Sequence, residues 1–382
     1  MDEEEEQEQQ QLPPPEPPKG IKFFVSHMNT HVGQSLIEEL RNDHEVSDPV
    51  SVHTFVGTIK EDENADVPAG VSKVVKQEKV RSFRNQILES DVVVYDLLSA
   101  NFEEVDHVIK TFRGAELEQE KVLVLISSVM TWVNTPPKEK KEPVEGEEEG
   151  EPEEEEPEEP EEEGEEEQVD ENGEPIKKKK ILYYKESDFH LRVPSPKFQP
   201  LKTLETIALS SVKAQPRLRV YVLCAGILYG NGERVFYEHF RNAWLQSPAE
   251  LPYIGKGDNL VPTIHVIDLA RLVKRIVNKR PNEYYIFAVD RTKKPTMKNI
   301  VEAISNGIGT GKTRSVNIQE AINDDWAAYY LNIKMRTSAV FKDEEPPEDA
   351  EDPEEAAKKL RFPWHCENGI PDNVRKLNEE FN

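Results

Sequence analysis

The stretch GIGTGKT, from Gly307 to Thr313, has a composition that suggests phosphate binding. In a GxxxxGK[ST] loop, glycine backbone N–H groups surround the phosphates of a nucleotide and the lysine reaches them. The first glycine of that pattern would have to be residue 306, which is Asn306 here. The stretch also follows the helical pattern MKNIVEAISN, whereas a phosphate-binding loop follows a buried strand. We therefore interpret it as the glycine-rich end of a helix.

The elements that would position any site alternate between strand and helix. Continuous apolar runs such as IKFFV, DVVVYDLL and KVLVLISS are typical of parallel strands covered on both faces. Helical spacing of apolar residues in HVGQSLIEELRN, NFEEVDHVIKTFRGAE and LKTLETIALSSV fills the intervals between strands. This order predicts an α/β fold, a doubly wound parallel Rossmann-like sheet with a smaller C-terminal α/β lobe.

Acidic segments divide the chain. Residues 1–19 form an acidic, proline-rich tail with too few apolar side chains to fold, and we expect the tail to be disordered. Residues 20–382 are predicted to form one domain, interrupted by a disordered acidic insertion at 136–180 and an acidic loop at 341–359. Repulsion between its charges favours an extended insertion, whose ends could lie roughly 30 Å or more apart.

The charge of the chain is unevenly distributed. The formal net charge is −27, but 21 acidic residues without any Lys or Arg lie between Glu142 and Glu174. The tail carries seven more acids, so the remaining chain is nearly neutral. Its Lys and Arg residues are scattered and form no stripe, which argues against nucleic acid as a partner.

Cysteine content and hydropathy indicate the compartment. Cys224 and Cys366 lie far apart without metal-ligand spacing, which favours reduced thiols in the cytoplasm. The longest apolar run, VLVLISSVMTWV, is too short to cross a bilayer, so no membrane partner is expected. The N-terminus lacks the apolar core of a signal peptide.

Two segments in the second half carry a family resemblance. LCAGILYGNGER, followed by GKGDNLVPTIHVIDLARLV, resembles the extended short-chain dehydrogenase/reductase family, which includes NAD-dependent epimerases. SSVMTW, LPYIGKGDN and VPTIHVIDLA are similar to the N-terminal domain of the adenylate kinase isoenzyme 7 family, which is ciliary. The similarity extends from about Ile21 to Phe381, apart from the acidic insertion.

The resemblance implies a dinucleotide-binding loop at VSHMNTHVG. Such a loop requires glycine at three places: for a tight turn, for close approach of the pyrophosphate, and for packing of the helix on the sheet. His27, Thr30 and Gly33 occupy those places here, so only the packing glycine is retained. The second strand pattern, VHTFVGT, also lacks the acid that would bind the ribose of NAD. No cofactor is therefore expected, with NAD or NADP as the alternative.

The resemblance also implies a catalytic hydroxyl after the fifth strand and a Tyr-x-x-x-Lys pair on the next helix. Ser128, preceded by Ser127, matches the hydroxyl. The segment FQPLK places Phe198 at the tyrosine position and Lys202 at the lysine position, and phenylalanine has no proton to transfer. Tyr183 and Tyr184 are not followed by lysine four residues later, so neither replaces the missing tyrosine.

Other aromatic and histidine residues are expected to be structural. Phe236, Phe240 and Trp244 recur every four residues, which predicts one helix face packed against the sheet. His265 lies in a His-Val-x-Asp segment that is structural in the family, and we predict no metal or catalytic role for it.

These observations favour a catalytically inactive Rossmann-like scaffold without a catalytic, cofactor or metal site. The resemblance places it in the cytoplasm, in the axoneme of a cilium or flagellum, within a multi-protein complex of other axonemal proteins. One alternative is the N-terminal part of a longer adenylate kinase, whose phosphoryl transfer occurs in another domain. The other is an NAD(P)-dependent reductase or epimerase with an unusual loop that uses Gly33, Ser128 and Lys202.

Overall fold

The computed structural model describes residues 20–41, 53–61, 66–139, 181–232, 234–321, 325–346 and 352–381. The predicted disordered tail and residues 140–180 of the predicted insertion lie outside this part of the chain. Within these ranges, no helix combines the length and the hydropathy that a bilayer crossing requires.

The strands form one large sheet and three small ones. Seven parallel strands make up the large sheet, in the order β12-β8-β5-β4-β1-β2-β3. In chain order the strands are β1 Lys22–Val25, β2 Thr54–Gly57, β3 Val71–Val74, β4 Val92–Asp96, β5 Lys121–Ser128, β6 Lys138–Glu139, β7 Ile181–Leu182, β8 Leu218–Ala225, β9 Ile227–Tyr229, β10 Glu250–Ile254, β11 Thr263–His265, β12 Tyr285–Ala288 and β13 Lys312–Val316.

Helices cover both faces of the large sheet, as the two-sided apolar strands require. Each face has its own apolar core, with α1 packed on α6 at one face and α3 packed on α4 at the other. The α-helices are α1 His31–Arg41, α2 Val80–Glu89, α3 Phe102–Gly114, α4 Gln199–Ser211, α5 Tyr237–Leu245, α6 Val266–Lys279, α7 Met297–Ile308, α8 Pro353–Leu360 and α9 Ile370–Phe381. The predicted doubly wound α/β fold is therefore confirmed.

The order of the strands determines where a ligand would bind. From β1 the chain continues outward to β2 and β3, and then returns to the other side of β1 to form β4. The carboxyl ends of β1 and β4 therefore flank the point where the strand order reverses, which is the usual binding crevice of such sheets. The turn after β1, residues 26–30, lies at this point.

A smaller C-terminal lobe contains the parallel pair β10 and β13 together with α5, α7 and α9. The GIGTGKT stretch lies here: α7 ends at Ile308, and β13 begins at Lys312. Gly307 faces α9 so closely that a Cβ would lie 1.8 Å from Val374 Cγ1. The interpretation of this stretch as a helix end is confirmed.

Three expectations differ from the structure. Strand β6 pairs antiparallel with β7, so the chain on either side of residues 140–180 is held together and not separated by 30 Å. The predicted acidic loop at 341–359 begins with the fully buried Phe341 and includes most of α8. Phe236 and Phe240 are buried as predicted, but Trp244 is 61% exposed. A spacing of four residues advances about 40° per step around a helix of 3.6 residues per turn, which rotates Trp244 away from the core.

Candidate functional site

The turn after β1 is tied to the end of β2 by its backbone. Thr58 accepts the N–H of His27 on its hydroxyl at 2.9 Å and the N–H of Met28 on its carbonyl oxygen at 2.8 Å. His27 has a φ of 48°, the left-handed region in which glycine is favoured. The backbone thus retains the tight turn of a dinucleotide-binding loop, while the residue that makes the turn is a histidine.

Thr30 occupies the N-terminus of α1. Its hydroxyl donates to the carbonyl oxygen of His27 at 2.9 Å and accepts the N–H of Gly33 at 3.3 Å. This is the arrangement of an N-cap, in which a side-chain oxygen satisfies a free N–H of the first helical turn. The same end of the helix would receive the pyrophosphate in a dinucleotide-binding protein. The Thr30 side chain therefore takes a position that the cofactor would need.

Gly33 is required by the packing of the loop itself. A Cβ at this position would lie 2.4 Å from the carbonyl oxygen of His27 and 2.8 Å from Cα of Met28. Only glycine permits the helix to approach the turn so closely. Retention of Gly33 is thus explained by local packing, whether or not a nucleotide binds.

Contacts from other segments bury the turn. Asn29 exchanges two hydrogen bonds with the backbone of Lys60, at 2.9 and 2.8 Å. His31 Nε2 lies 2.6 Å from the carbonyl oxygen of Gly230, on the loop between β9 and α5. Residues 26–30 are at most 7% exposed as a result. Burial, with the nearby charge of Lys60, lowers the pKa of His27, so its ring is neutral at pH 7 and offers no positive charge to a phosphate.

These contacts test whether the loop fits NAD or NADP, the cofactor that the fold implies. The fit fails at Thr30, whose hydroxyl already bonds the His27 carbonyl oxygen and the Gly33 N–H at the start of the helix, and at His27, which is buried in the turn. Residues 58–60, directly after β2, contain no carboxylate that could bind a ribose. One surface cavity lies between α7 and α9, and another lies along α2.

The residues at the predicted catalytic positions make structural contacts. Ser128 Oγ accepts the N–H of Met130 at 3.2 Å and caps the short 3-10 turn Val129–Trp132. Phe198 ends another 3-10 turn and is 4% exposed, in the core beneath α4. Lys202 Nζ donates to the carbonyl oxygen of Arg192 at 2.6 Å. Burial, followed by the charge of Arg192, lowers the pKa of Lys202.

Neither nearby tyrosine replaces the missing one. Tyr184 packs against Trp132, with ring centroids 5.0 Å apart, and its hydroxyl donates to the carbonyl oxygen of Pro136. Tyr183 lies under the ammonium of Lys334, 4.1 Å from the ring centroid. Both tyrosines therefore have structural partners.

A buried polar network next to Lys202 was not predicted. Glu205 on α4 is fully buried, pairs with Arg192 Nε at 2.8 Å and accepts a hydrogen bond from the Ser127 hydroxyl. Burial raises the pKa of Glu205, and the positive charge of Arg192 partly opposes that effect. The sequence contained one signal, because Glu205 lies on the same helical stripe as Leu201, Leu204 and Ala208. An acid on an apolar stripe indicates a buried partner.

Comparisons with known proteins agree with this fold. No protein-family model matches the chain. Adenylate kinase 7 of Mus musculus is 25% identical over 303 residues, which cover 77% of this chain and 41% of the mouse protein. Adenylate kinase 7 of Macaca fascicularis is 27% identical over 182 residues, 46% of this chain and 31% of that protein. The chain thus spans less than half the length of the curated relatives it matches.

Solved structures with a similar fold include epimerases and a dehydratase. dTDP-glucose 4,6-dehydratase from Bacillus anthracis in complex with NAD superposes with a TM-score of 0.58 at 13% identity, covering 95% of this chain and 98% of that one. A human epimerase family protein with NADPH gives a TM-score of 0.54 at 12% identity, covering 94% and 99%. The chain is therefore similar in sequence to adenylate kinase 7 and has the Rossmann fold of the epimerases.

Proposed function

We propose that this chain is a catalytically inactive Rossmann-like scaffold. One observation carries the proposal: the loop that would hold the pyrophosphate is closed by its own side chains, with Thr30 capping α1 and residues 26–30 buried. The solved structures of similar fold include complexes with NAD and NADPH. Here the same place contains protein groups with their hydrogen bonds already made, so binding of a dinucleotide would have to break them.

The catalytic positions support the same proposal independently. Proton transfer requires a titratable group within hydrogen-bond reach of the substrate. Phe198 has none, and the ammonium of Lys202 is held by the carbonyl oxygen of Arg192. Two separate losses, in the cofactor loop and at the proton-transfer position, are what a scaffold without selection for catalysis would accumulate.

A calorimetric titration of the purified full chain with NAD, NADP and their reduced forms tests the proposal. We expect no saturable heat at millimolar nucleotide. The double variant His27→Gly/Thr30→Gly is the matched comparison, because it removes the capping hydroxyl and both side chains while leaving Gly33 in place. We expect weak binding to emerge only in this variant. Micromolar affinity in the unaltered chain would overturn the proposal.

The alternative function, an NAD(P)-dependent reductase or epimerase, differs from the scaffold in that it requires catalytic turnover of a substrate. The variant Phe198→Tyr restores the hydroxyl, and we expect it to remain inactive because the loop and Lys202 are unchanged. Absorbance of the reduced nicotinamide, followed with carbonyl compounds and sugar nucleotides, measures this. Turnover by either form, at any rate above the background without enzyme, would favour the reductase.

For the cellular role, we propose a place in the axoneme of cilia or flagella, within a complex of other proteins and away from nucleic acid and membranes. The support is the similarity to adenylate kinase 7, because the resemblance to that family implies a ciliary location. Detergent extraction of ciliated cells followed by immunoblotting tests it. Retention of the chain with the demembranated axoneme is expected, whereas complete release with the soluble fraction would contradict it.

The second alternative is that these residues are the N-terminal part of a longer adenylate kinase. It draws on the coverage of the relatives, of which this chain spans 41% and 31%. Intact mass of the protein isolated from its native tissue distinguishes the two. A mass near 43.8 kDa supports the scaffold, and a mass more than twice as large supports the kinase.

A further inference from the structure

Three potential metal ligands meet beside the loop between β9 and α5. His265 ends β11, and His365 and Cys366 lie between α8 and α9, about one hundred residues later. One ligand atom from each side chain lies within 4.8 Å of the other two. His265 and Cys366 are buried, at 1% and 0% exposure. Their spacing in the sequence predicted no metal site, because the fold alone brings the two segments together.

The trio is held in place by the backbone. Asp268, in the first turn of α6, accepts the N–H groups of both His365 and Cys366, the latter at 2.8 Å. The rings of His265 and His365 lie 4.4 Å apart. Because these bonds fix the main chain of two ligands, little order remains to be imposed when a metal binds.

The buried surroundings contain an unsatisfied polar atom. The hydroxyl of Tyr229 is fully buried and adjoins the Cys366 thiol, yet it makes no hydrogen bond of normal geometry. A buried polar atom without a partner points to a missing water or ion. A water bound to a metal at the trio would give this hydroxyl its partner.

We propose that His265, His365 and Cys366 bind one zinc ion, with a water held by Tyr229 in the fourth position. Two imidazoles and a thiolate are ligands that zinc prefers, in tetrahedral geometry. The ion would connect the segment before α9 to the start of α6, and thereby fix the C-terminal lobe on the sheet. Binding releases the thiol proton to solvent and oxidises nothing, so the step needs no further reactant.

Two existing contacts oppose metal binding, and each has a consequence that can be tested. His265 Nδ1 accepts the N–H of Ile267 at 3.2 Å as the cap of α6, so the metal would bind Nε2, which packs against Gly230. Coordination at Nε2 puts the ring proton on Nδ1, so this long hydrogen bond would be lost. Lys376 Nζ lies 3.4 Å from His365 Nδ1, and its positive charge competes with a cation. Removal of that charge should therefore tighten metal binding.

Cobalt substitution provides the test. The purified full chain, reduced and freed of metal with a chelator, is titrated with Co²⁺ and then with Zn²⁺ as competitor. We expect one equivalent of Co²⁺ to produce intense tetrahedral bands and a near-ultraviolet charge-transfer band from the thiolate. The many carboxylates of the chain cannot produce that band, so it separates this site from weak acidic binding. Absence of the band would overturn the proposal.

Variants assign the band to this site. Cys366→Ser should abolish it and weaken zinc binding by at least about 100-fold, since even outer partners of a zinc site contribute about 10-fold to 100-fold. Cys224→Ala, at the other buried cysteine, is the matched control and should retain the band. A band that persists in Cys366→Ser, or disappears in Cys224→Ala, contradicts the assignment.

Two further variants keep the proposal testable if Cys366→Ser does not fold, as judged by circular dichroism. His365→Gln changes a partly exposed ligand and should weaken zinc binding, with the exposed His190→Gln as control. Lys376→Gln should tighten binding several-fold. Unchanged affinity in His365→Gln, or in Lys376→Gln, would overturn the placement of the ion.

Discussion

The hydroxyl of Thr30 donates to the carbonyl oxygen of His27 at 2.9 Å, and the oxygen of that hydroxyl accepts the N–H of Gly33 at 3.3 Å. The three residues that would form a dinucleotide-binding loop are thus connected to one another. In a binding loop, the corresponding groups must remain accessible to a phosphate. The hydrogen bond between Thr30 and His27 therefore stabilises the turn and disfavours binding of a dinucleotide.

The Thr30 cap should contribute measurably to stability. Thr30→Val keeps the shape of the side chain but leaves the Gly33 N–H and the His27 carbonyl oxygen without this partner. We expect it to lower the free energy of unfolding by about 1–2 kcal/mol. Thr203→Val is the control, because that hydroxyl is exposed and bonds within α4, and it should cost less than about 0.5 kcal/mol. Urea unfolding followed by fluorescence measures both, and equal effects would argue against the cap.

The close packing around Gly33 predicts that an added methyl group destabilises the protein there, although the same change is tolerated at an open glycine. Gly33→Ala forces a Cβ to within 2.4 Å of a backbone oxygen and should destabilise the protein by at least about 2 kcal/mol. Gly114→Ala is the control, since nothing lies within 4 Å of a Cβ at the end of α3, and it should stabilise by up to about 1 kcal/mol. Thermal unfolding of the two variants compares them directly. Tolerance of Gly33→Ala would mean that the loop is more open than described.

Removal of the arginine from the buried pair of Arg192 and Glu205 should lower the free energy of unfolding much more than the same change in an exposed pair. Arg192→Met leaves the fully buried Glu205 without its cation and should cost about 3–5 kcal/mol. Arg219 and Glu120 are also 2.8 Å apart, but both are more than 40% exposed, so Arg219→Met should cost less than about 1 kcal/mol. Denaturant midpoints of both variants test this. Similar costs would contradict the burial of the first pair.

Asp290 predicts a pH dependence of folding. Burial raises the pKa of Asp290 to about 7 from 3.8, although Thr263 and Thr292 donate hydrogen bonds that oppose the shift. A carboxyl whose pKa is raised on folding stabilises the protein below its unfolded pKa, and that stability is lost as the pH rises. The loss should reach about 1.4 kcal/mol per pH unit between pH 4 and 7.

The variant Asp290→Asn isolates that contribution, because all other titrating groups are common to both proteins. The free energy of unfolding of the unaltered chain, minus that of the variant, should fall between pH 4 and 7 and be constant on either side. Urea unfolding at successive pH values measures the difference. Parallel curves for the two proteins would exclude a raised pKa at this carboxyl.

Local patterns were sufficient to predict much of the fold. The apolar runs that became β1, β4 and β5 are buried on both faces, and such strands are recognisable because nearly all of their residues are apolar. The identities of His27, Thr30 and Phe198 were also evident, since missing glycines and a missing hydroxyl are facts of residue type. By contrast, the short edge strand β3 was missed, because its exposed residues carry no apolar pattern.

Contacts between distant segments could not be predicted in the same way. His31 and Gly230 are 199 residues apart, and neither local sequence indicates that the two residues are in contact. The meeting of His265 with Cys366, about one hundred residues later, has the same character. Trp244 shows that a local pattern can also mislead. Its spacing from Phe236 predicted a buried side chain, but the rotation of the helix exposes it.

The sequence by itself therefore determined the alternation of strands and helices, and the loss of the residue types that a dinucleotide and a proton transfer require. Tertiary structure alone decided what replaced them: a threonine cap, a covering loop and a cluster of histidine and cysteine. The physical reason is that the buried face of a helix or strand gives apolar residues a regular spacing along the sequence. Hydrogen bonds and ligand clusters instead depend on which strand ends the sheet order brings together.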